Sequence, residues 1–212
     1  MREENGKKII LDLCGGTGSW SKPYKDAGYD VRLITLPMFD VTDPYVIEQC
    51  IALKPYGILA APPCTKFSRA NWRVSRADRD FVEGMKCVRA CMEIIWKIQE
   101  NGAPLAFWAI ENPDGYLYRF LGYPKFYFQP WQFGETDFRA TKRTAIWGYF
   151  KSPTKSVKDR SHIPLVAQFS PRKDGKRTNP DAKINTVFTR KSAEDRAKTS
   201  CFFAQAFYQA NQ

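Results

Sequence analysis

The sequence predicts an α/β protein whose sheet is mostly parallel and carries helices on both faces. Strand-like segments alternate with helical segments through residues 1–150, which is the pattern of a covered parallel sheet. Several strand-like segments are strongly apolar and end in glycine or proline turns. The chain has 212 residues, of which 43% are hydrophobic, so it is long enough to enclose a substantial core.

The predicted elements follow one another along the chain. Strands are predicted over residues 7–14, 30–36, 56–61, 104–110, 126–129 and 144–150. Helices are predicted from the first glycine turn to residue 27, and over residues 44–53, 76–100 and 192–210. The helix within 76–100 has the clearest pattern, because apolar residues recur there at helical spacing between charged ones. Residues 151–189 are rich in proline, lysine and arginine, which indicates a loop-rich insertion.

The charge of the chain is concentrated in its last third. The formal net charge is +11, and residues 139–212 hold 16 basic and 5 acidic side chains. The preceding residues therefore sum to zero. A basic surface can be merely solvated, but a one-sided excess of this size favours a polyanionic partner.

Cysteine and histidine usage argues against several classes of protein. The six cysteines form no CxxC pair and have neither zinc-ligand nor disulfide-framework spacing, and the one histidine is His162. We therefore expect no metal site, no serine–histidine machinery and a reducing cytoplasm. No apolar run approaches the roughly 18 residues that cross a bilayer, and the polar start has no secretory signal, so no membrane association is expected.

A glycine-rich turn follows the first predicted strand. Its sequence is DLCGGTG, formed by Asp12, Leu13, Cys14, Gly15, Gly16, Thr17 and Gly18. Glycines allow a ligand to approach the backbone closely, and a helix start offers unpaired N–H groups. The turn lacks the full spacing of a dinucleotide or phosphate loop. It indicates either a nucleoside-bearing cofactor at the ends of the strands or a purely structural strand-to-helix turn.

A Pro-Pro-Cys sequence follows the third predicted strand. Pro62 and Pro63 end the strand and fix the backbone, so Cys64 is presented at the edge where α/β proteins bind ligands. Basic residues crowd the loop that follows, and positive charge lowers the pKa of a cysteine thiol. Cys64 thus has the expected surroundings of a nucleophile. The alternative is a buried cysteine after a tight turn.

Three segments together resemble the DNA (cytosine-5) methyltransferase family. They are DLCGGTG, APPCTKFS and AIENPDG, in this order and spacing, and the similarity extends over residues 9–150. The family patterns are DLFxGxGG, PPCxxFS and ENV, and the terminal helix is loosely similar to the last family motifs. The resemblance implies a Rossmann-like methyltransferase fold that uses S-adenosylmethionine as its cofactor.

The resemblance also implies roles for four residues. Cys64 would attack C6 of a cytosine, which makes C5 nucleophilic enough to accept a methyl group. Glu111 would contact N3 and the exocyclic amine of the base, and its place beside apolar residues favours a raised pKa. Asn112 would brace the nucleophile loop, and Arg143 would contact the base or its phosphate. The alternative for Glu111 and Asn112 is a strand-end turn.

Cofactor contacts are implied at the positions that match the first family motifs. They are Asp12, Leu13, Cys14, Gly15, Gly16, Gly18, Trp20, Asp40 and Pro62. Cys14 replaces the usual aromatic residue, and Trp20 is the candidate to substitute for it. The second strand is not followed by the carboxylate that holds the ribose in the family. Arg143 survives from the family's QxRxR pattern, whereas its glutamine and second arginine do not.

The resemblance implies a DNA partner whose target cytosine is flipped out of the duplex. Implied nucleic-acid contacts are Lys66, Ser68, Arg69, Trp72, Arg73, Arg172, Lys173, Lys176 and Arg177. We expect a catalytic domain at 1–150, a short target-recognition insertion at 151–189 and a terminal helix within 190–212 that packs back. So short an insertion predicts short or relaxed sequence specificity, in a monomer, and suggests by analogy a phage enzyme in an infected bacterial cell.

Two alternatives remain at this point. The same reaction on RNA is one, since a minor branch of the family acts on tRNA. The other is a catalytically weak nucleic-acid-binding or accessory protein that keeps the fold. The absent ribose carboxylate and the incomplete arginine motif favour the accessory protein, whereas the intact Cys64 and Glu111 favour an enzyme.

Overall fold

A computed structural model describes residues 2–69, 74–103, 105–137, 140–159, 161, 195 and 197–212. The strands are β1 Ile9–Leu13, β2 Asp30–Ile34, β3 Gly57–Ala60, β4 Phe107–Pro113, β5 Phe126–Phe128 and β6 Thr144–Tyr149. The helices are α1 Arg2–Asn5, α2 Lys22–Asp26, α3 Pro44–Ala52, α4 Phe81–Glu100, α5 Tyr118–Leu121 and α6 Cys201–Ala210, with a 3-10 turn at Pro130–Phe133. The predicted α/β class is confirmed.

All six strands belong to one sheet in the order β2-β1-β3-β4-β6-β5. The first four of these are parallel to one another, as the alternating pattern predicts. Strand β6 runs antiparallel to both β4 and β5, so the sheet is mixed, with three parallel and two antiparallel pairings. In the described part of residues 129–143, which join β5 to β6, the one regular element is the 3-10 turn, so no helical crossover returns the chain in the parallel direction.

Helices cover both faces of the sheet, as predicted. Helices α3 and α4 enclose one core with apolar residues of β1, β3 and β4, such as Leu11, Ile58 and Ile110. On the other face, α2 and α6 enclose an aromatic core. There the rings of Phe128 and Phe203 stack with centroids 3.8 Å apart. No helix in the described ranges is both long and apolar enough to cross a membrane.

Several predicted element boundaries differ from the structure, such as the end of β2 at Ile34 rather than 36, and two of the differences have a clear cause. Helix α4 begins at Phe81 rather than 76, because Asp80 caps it through a carboxylate that accepts from the Glu83 N–H at 2.9 Å. Strand β4 continues to Pro113 instead of ending at 110, because Glu111 and Asn112 still pair with β6. The candidate acid is therefore held within the sheet and not in a turn.

The C-terminal helix is fastened to the rest of the protein by Asn211. Its side-chain amide donates to the carbonyls of Lys151 and Phe207, and its oxygen accepts from the Lys151 N–H at 2.7 Å. The Asn211 carbonyl accepts from the Tyr24 hydroxyl on α2. Helix α6 begins at Cys201 with Ser200 as its cap. The predicted helix start at 192 and most of the predicted insertion lie outside the described residues.

Candidate active site

The candidate site lies where the order of the sheet reverses direction. Strand β2 is on one side of β1, and β3 is on the other. In open α/β sheets the crevice at the carboxyl ends of such strands binds ligands. Leu13 and Ala60 are paired there, and the Ala61 N–H donates to the Leu13 carbonyl at 2.9 Å. The glycine turn and the Pro-Pro-Cys loop therefore leave the sheet side by side.

The glycine turn after β1 is shaped to receive a ligand. Cys14, Gly16 and Gly18 all have positive φ, at 56°, 56° and 69°, which is the left-handed region that favours glycine. A Cβ on Gly16 would have no atom within 4 Å, so this part of the turn is open. A Cβ on Gly15 would lie 2.4 Å from the Asp12 carboxyl, so only glycine lets the turn fold over Asp12.

Asp12 is a fully buried carboxyl beneath this turn. One oxygen accepts from the Ser21 hydroxyl at 2.5 Å, whereas Oδ1 has no hydrogen-bond partner among the described residues. Burial raises the pKa of Asp12 to about 6, and the Ser21 hydrogen bond opposes this shift. A buried acceptor without a hydrogen bond lowers the stability of the fold, so such an atom suits a site where a ligand provides the donor. The turn and this carboxyl therefore fit a nucleoside-bearing cofactor.

The loop after β3 is tied to the end of β4 by specific contacts. The Asn112 amide donates to the Pro62 carbonyl at 3.0 Å, as expected for a residue that braces the loop. The Tyr116 N–H donates to the Phe67 carbonyl at 2.9 Å. A Cβ on Gly115 would lie 2.2 Å from that same carbonyl oxygen, so the two segments touch backbone to backbone. These contacts fix Cys64 relative to β4.

Arg79 is a positioning residue that sequence reasoning missed. It is 7% exposed, and its guanidinium donates to the carbonyls of Lys66 and Ser68, each at 3.0 Å, and to that of Val74 at 3.3 Å. It also lies 5.2 Å from the ring centroid of Tyr116. One buried cation therefore gathers the loop after Cys64. The only signal was an arginine just before a helix cap, which is too common to be predictive.

The Glu111 carboxylate and the Lys142 ammonium both act on the pKa of the Cys64 thiol. Burial raises the pKa of the Cys64 thiol, the Glu111 carboxylate raises it further, and Lys142 opposes both effects. The pKa of Cys64 is therefore raised, whereas the basic loop was predicted to lower it. Among the described residues, the cation that opposes this rise is Lys142, which lies just before β6. Burial also raises the pKa of Glu111, as expected, and Lys142 opposes it. The Lys142 ammonium lies 3.7 Å from the Glu111 carboxylate.

Arg143 lies beside the site, and among the described residues its ion-pair partner is Asp114 rather than Glu111. Its guanidinium is 3.5 Å from the Asp114 carboxylate, and its side chain is 55% exposed. The same group lies 4.7 Å from the ring centroid of Tyr127. Arg143 thus faces outward near the mouth, whereas the neighbouring Lys142 faces Glu111.

Two predicted cofactor residues already have partners within the protein. Trp20 is 2% exposed, and its ring packs against Phe203 and Phe207 of α6, so no ring face is open to a ligand. The structure does not support Trp20 as a substitute for the family's aromatic contact. Asp40 is exposed, and its carboxylate accepts from the Thr42 N–H and hydroxyl at 2.9 and 2.8 Å. These hydrogen bonds lower the pKa of Asp40 and already account for one of its oxygens.

The predicted nucleic-acid contacts are described only in part. Lys66 and Ser68 are half-buried in the loop after Cys64, and Arg69 is exposed with its guanidinium 5.7 Å from the Tyr116 ring centroid. The remaining predicted contacts lie outside the described residues; they are Trp72, Arg73, Arg172, Lys173, Lys176 and Arg177.

The groups assembled at this edge are a thiol, a carboxyl, an amide and an ammonium. Such a set suits nucleophilic and acid–base chemistry. Within the described part of the chain, no cluster of His, Cys, Asp or Glu has the arrangement of a metal site. No protein-family model matches the chain, and no significant match was found among curated proteins.

Proposed function

We propose that this protein transfers a methyl group from S-adenosylmethionine to C5 of cytosine in DNA. The observation that carries the proposal is the pairing of Cys64 with Glu111. The thiol and the carboxyl come from neighbouring strands, and the carboxylate acts on the pKa of the thiol. An amide brace and an open glycine turn adjoin them at the switch point of the sheet.

Each side chain has a defined task in this reaction. The Cys64 thiolate adds to C6 of the base, forming a C–S bond, and the C5–C6 π electrons move toward C5 and N3. Glu111, whose pKa is raised by burial, supplies a proton to N3 and so stabilises the developing charge. C5 takes the methyl group and leaves the S–CH3 bonding pair on the sulfonium sulfur of the cofactor, which becomes a neutral thioether. N3 returns its proton to Glu111, and the C5 proton then passes to water. The C–S bond then breaks, which restores the C5–C6 double bond and the thiolate.

The cofactor is expected to lie over the glycine turn. When bound, S-adenosylmethionine supplies an electrophilic methyl group. The open backbone at Gly16 receives the cofactor, and the unpaired oxygen of Asp12 offers an acceptor beneath it. Pro62 is buried at the adjoining strand end and its carbonyl accepts from the Asn112 amide, so the start of the loop that carries Cys64 is held in place.

Charge supports a polyanionic substrate. The chain carries a net charge of +11, and the exposed Arg69 and Arg143 flank the nucleophile loop. Phosphate contacts of this kind position a nucleic acid without reading its sequence. A base stacked inside a duplex cannot reach Cys64, so the target nucleotide must flip out, at a cost of a few kcal/mol. Short or relaxed sequence specificity is expected, because the segment available for recognition is brief.

A methyl-transfer assay tests the proposal directly. The protein is incubated with tritium-labelled S-adenosylmethionine and duplex DNA of varied sequence, and methylated cytosines are mapped by sequencing. We expect 5-methylcytosine with wild-type protein and none with Cys64→Ala. Absence of methyl transfer in every DNA context contradicts the proposal. Activity in Cys64→Ala contradicts the mechanism.

A trapping experiment separates the nucleic-acid substrates. When cytosine carries fluorine at C5, the final proton loss is impossible, so the covalent Cys64 adduct accumulates after methylation. We expect an adduct with duplex DNA that withstands denaturing electrophoresis and is absent in Cys64→Ala. An adduct only with matched RNA identifies an RNA methyltransferase instead. Tight binding to DNA without adduct or methyl transfer identifies a nucleic-acid-binding protein that lacks catalysis.

A further inference from the structure

Lys142 stands out among the charged residues near the site, because its partner is a buried acid. Its ammonium is 3.7 Å from the Glu111 carboxylate, and the Glu111 side chain is only 12% exposed. Surface ion pairs are common and weak, but a pair this enclosed acts through a lower effective dielectric. Lys142 itself is 26% exposed, so it reaches inward from the rim of the site.

We propose that Lys142 is a positioning residue that holds the Glu111 carboxylate and supplies the positive charge that favours ionisation of Cys64 to its thiolate. The inference rests on the proposed function for its chemical purpose, because a nucleophile beside a carboxylate needs a counter-charge. Removing Lys142 leaves Cys64 and Glu111 as two acidic groups close together in a buried place, where like charges oppose ionisation.

The other charged groups around Cys64 have different partners. Glu111 on β4 raises the pKa of the thiol, and Lys142 before β6 lowers it. Arg143 pairs with Asp114, and Arg79 donates to backbone carbonyls of the nucleophile loop. Among the residues that the structure describes around the thiol, Lys142 is therefore the cation positioned to favour its ionisation.

Alkylation of Cys64 by iodoacetamide tests this inference without DNA or cofactor. The thiolate displaces iodide and forms a C–S bond, so the rate reports the thiolate fraction at each pH. The full chain is labelled between pH 6 and 10, and the peptide that carries Cys64 is quantified by mass spectrometry. Cys201 is exposed and lies on α6, so its labelling provides an internal reference.

The rate of Cys64 labelling is expected to change in opposite directions in different variants. Lys142→Met slows Cys64 labelling about threefold or more at pH 8 and moves its midpoint upward, because the stabilising charge is gone. Lys142→Arg keeps the charge and restores most of the rate. Glu111→Gln removes the like charge and accelerates labelling. Lys97→Met, which removes a lysine paired with Glu93 on the exposed face of α4, is the matched control and changes nothing.

Specific outcomes overturn the inference. An unchanged or faster Cys64 rate in Lys142→Met contradicts it, as does an equal slowing of Cys201, since that indicates a general structural effect. The double variant Glu111→Gln with Lys142→Met must label more slowly than Glu111→Gln alone. Failure of methyl transfer with an intact Lys142 effect contradicts only the proposed function. Normal methyl transfer with no Lys142 effect contradicts only this inference.

Discussion

Gly115 sets the distance between the nucleophile loop and β4, so enlarging it is a sharp perturbation of the site. In Gly115→Ala the new Cβ starts 2.2 Å from the Phe67 carbonyl oxygen, whereas ordinary contact begins at 3.4 Å. The loop must therefore retreat by about 1.2 Å. A displacement near 1 Å at reacting groups lowers a rate about 100-fold, which is the expected loss of methyl transfer.

The same substitution lowers stability by a smaller and separable amount. Overpacking costs about 1–3 kcal/mol, which is about 2–12 °C in Tm for a chain of this size. Activity is therefore measured well below the lowered Tm. Gly102→Asn is the matched control, because Gly102 has φ +70° with nothing within 4 Å and asparagine tolerates that conformation. A Gly115→Ala variant with wild-type activity and Tm refutes the reasoning.

Three further changes test the surroundings of the site. Burial raises the pKa of Asp12 from its ordinary value of 3.8 to about 6, so between these two pH values the folded state binds more protons than the unfolded state. The stability of the folded state then falls by about 2 kcal/mol as pH rises from 4 to 7, and urea unfolding of Asp12→Asn loses this decline; an equal decline in the variant contradicts the assignment. Asn211→Ala removes hydrogen bonds to Lys151 and Phe207 and costs about 2–4 kcal/mol in urea unfolding; an unchanged midpoint counts against the fastening role. Arg79→Lys keeps the charge but cannot donate to the carbonyls of Lys66, Ser68 and Val74 at once. We therefore expect limited chymotrypsin digestion to cut the loop after Cys64 faster, while the urea midpoint moves little; equal digestion rates contradict the role of Arg79 in holding this loop.

The sequence predicted the elements of the sheet well because buried strands and their turns have local signatures. The parallel strands and the helix α4 fall where apolar runs and helical spacing place them, apart from the ends of a few elements. Strand direction is different, because it depends on the route of the connections. Nothing local in the apolar segment at 144–149 distinguishes a parallel strand from the antiparallel β6 that the structure contains.

Site residues could be predicted where a short segment of sequence contains them. They could not be predicted where their role depends on contacts between residues distant in sequence. Cys64, Glu111 and Asn112 each follow or end a strand, so their convergence at one edge could be expected. Trp20 was proposed as a substitute for the aromatic residue that Cys14 replaces, but its ring packs against Phe203 and Phe207 of α6. The partners of Arg79 and Lys142 depend on tertiary contacts, which the spacing of residues along the chain does not reveal.

The reversal of β6 is what completes the candidate site. Because β6 is antiparallel to β4, its first residues lie beside the last residues of β4, with Thr144 opposite Pro113. Lys142 therefore reaches Glu111 across this junction. In a parallel arrangement the start of this six-residue strand would lie at the opposite edge of the sheet, about 20 Å away at 3.3 Å per residue. The strand that departs from the predicted parallel pattern thus brings in the counter-charge that a thiol beside a carboxylate requires.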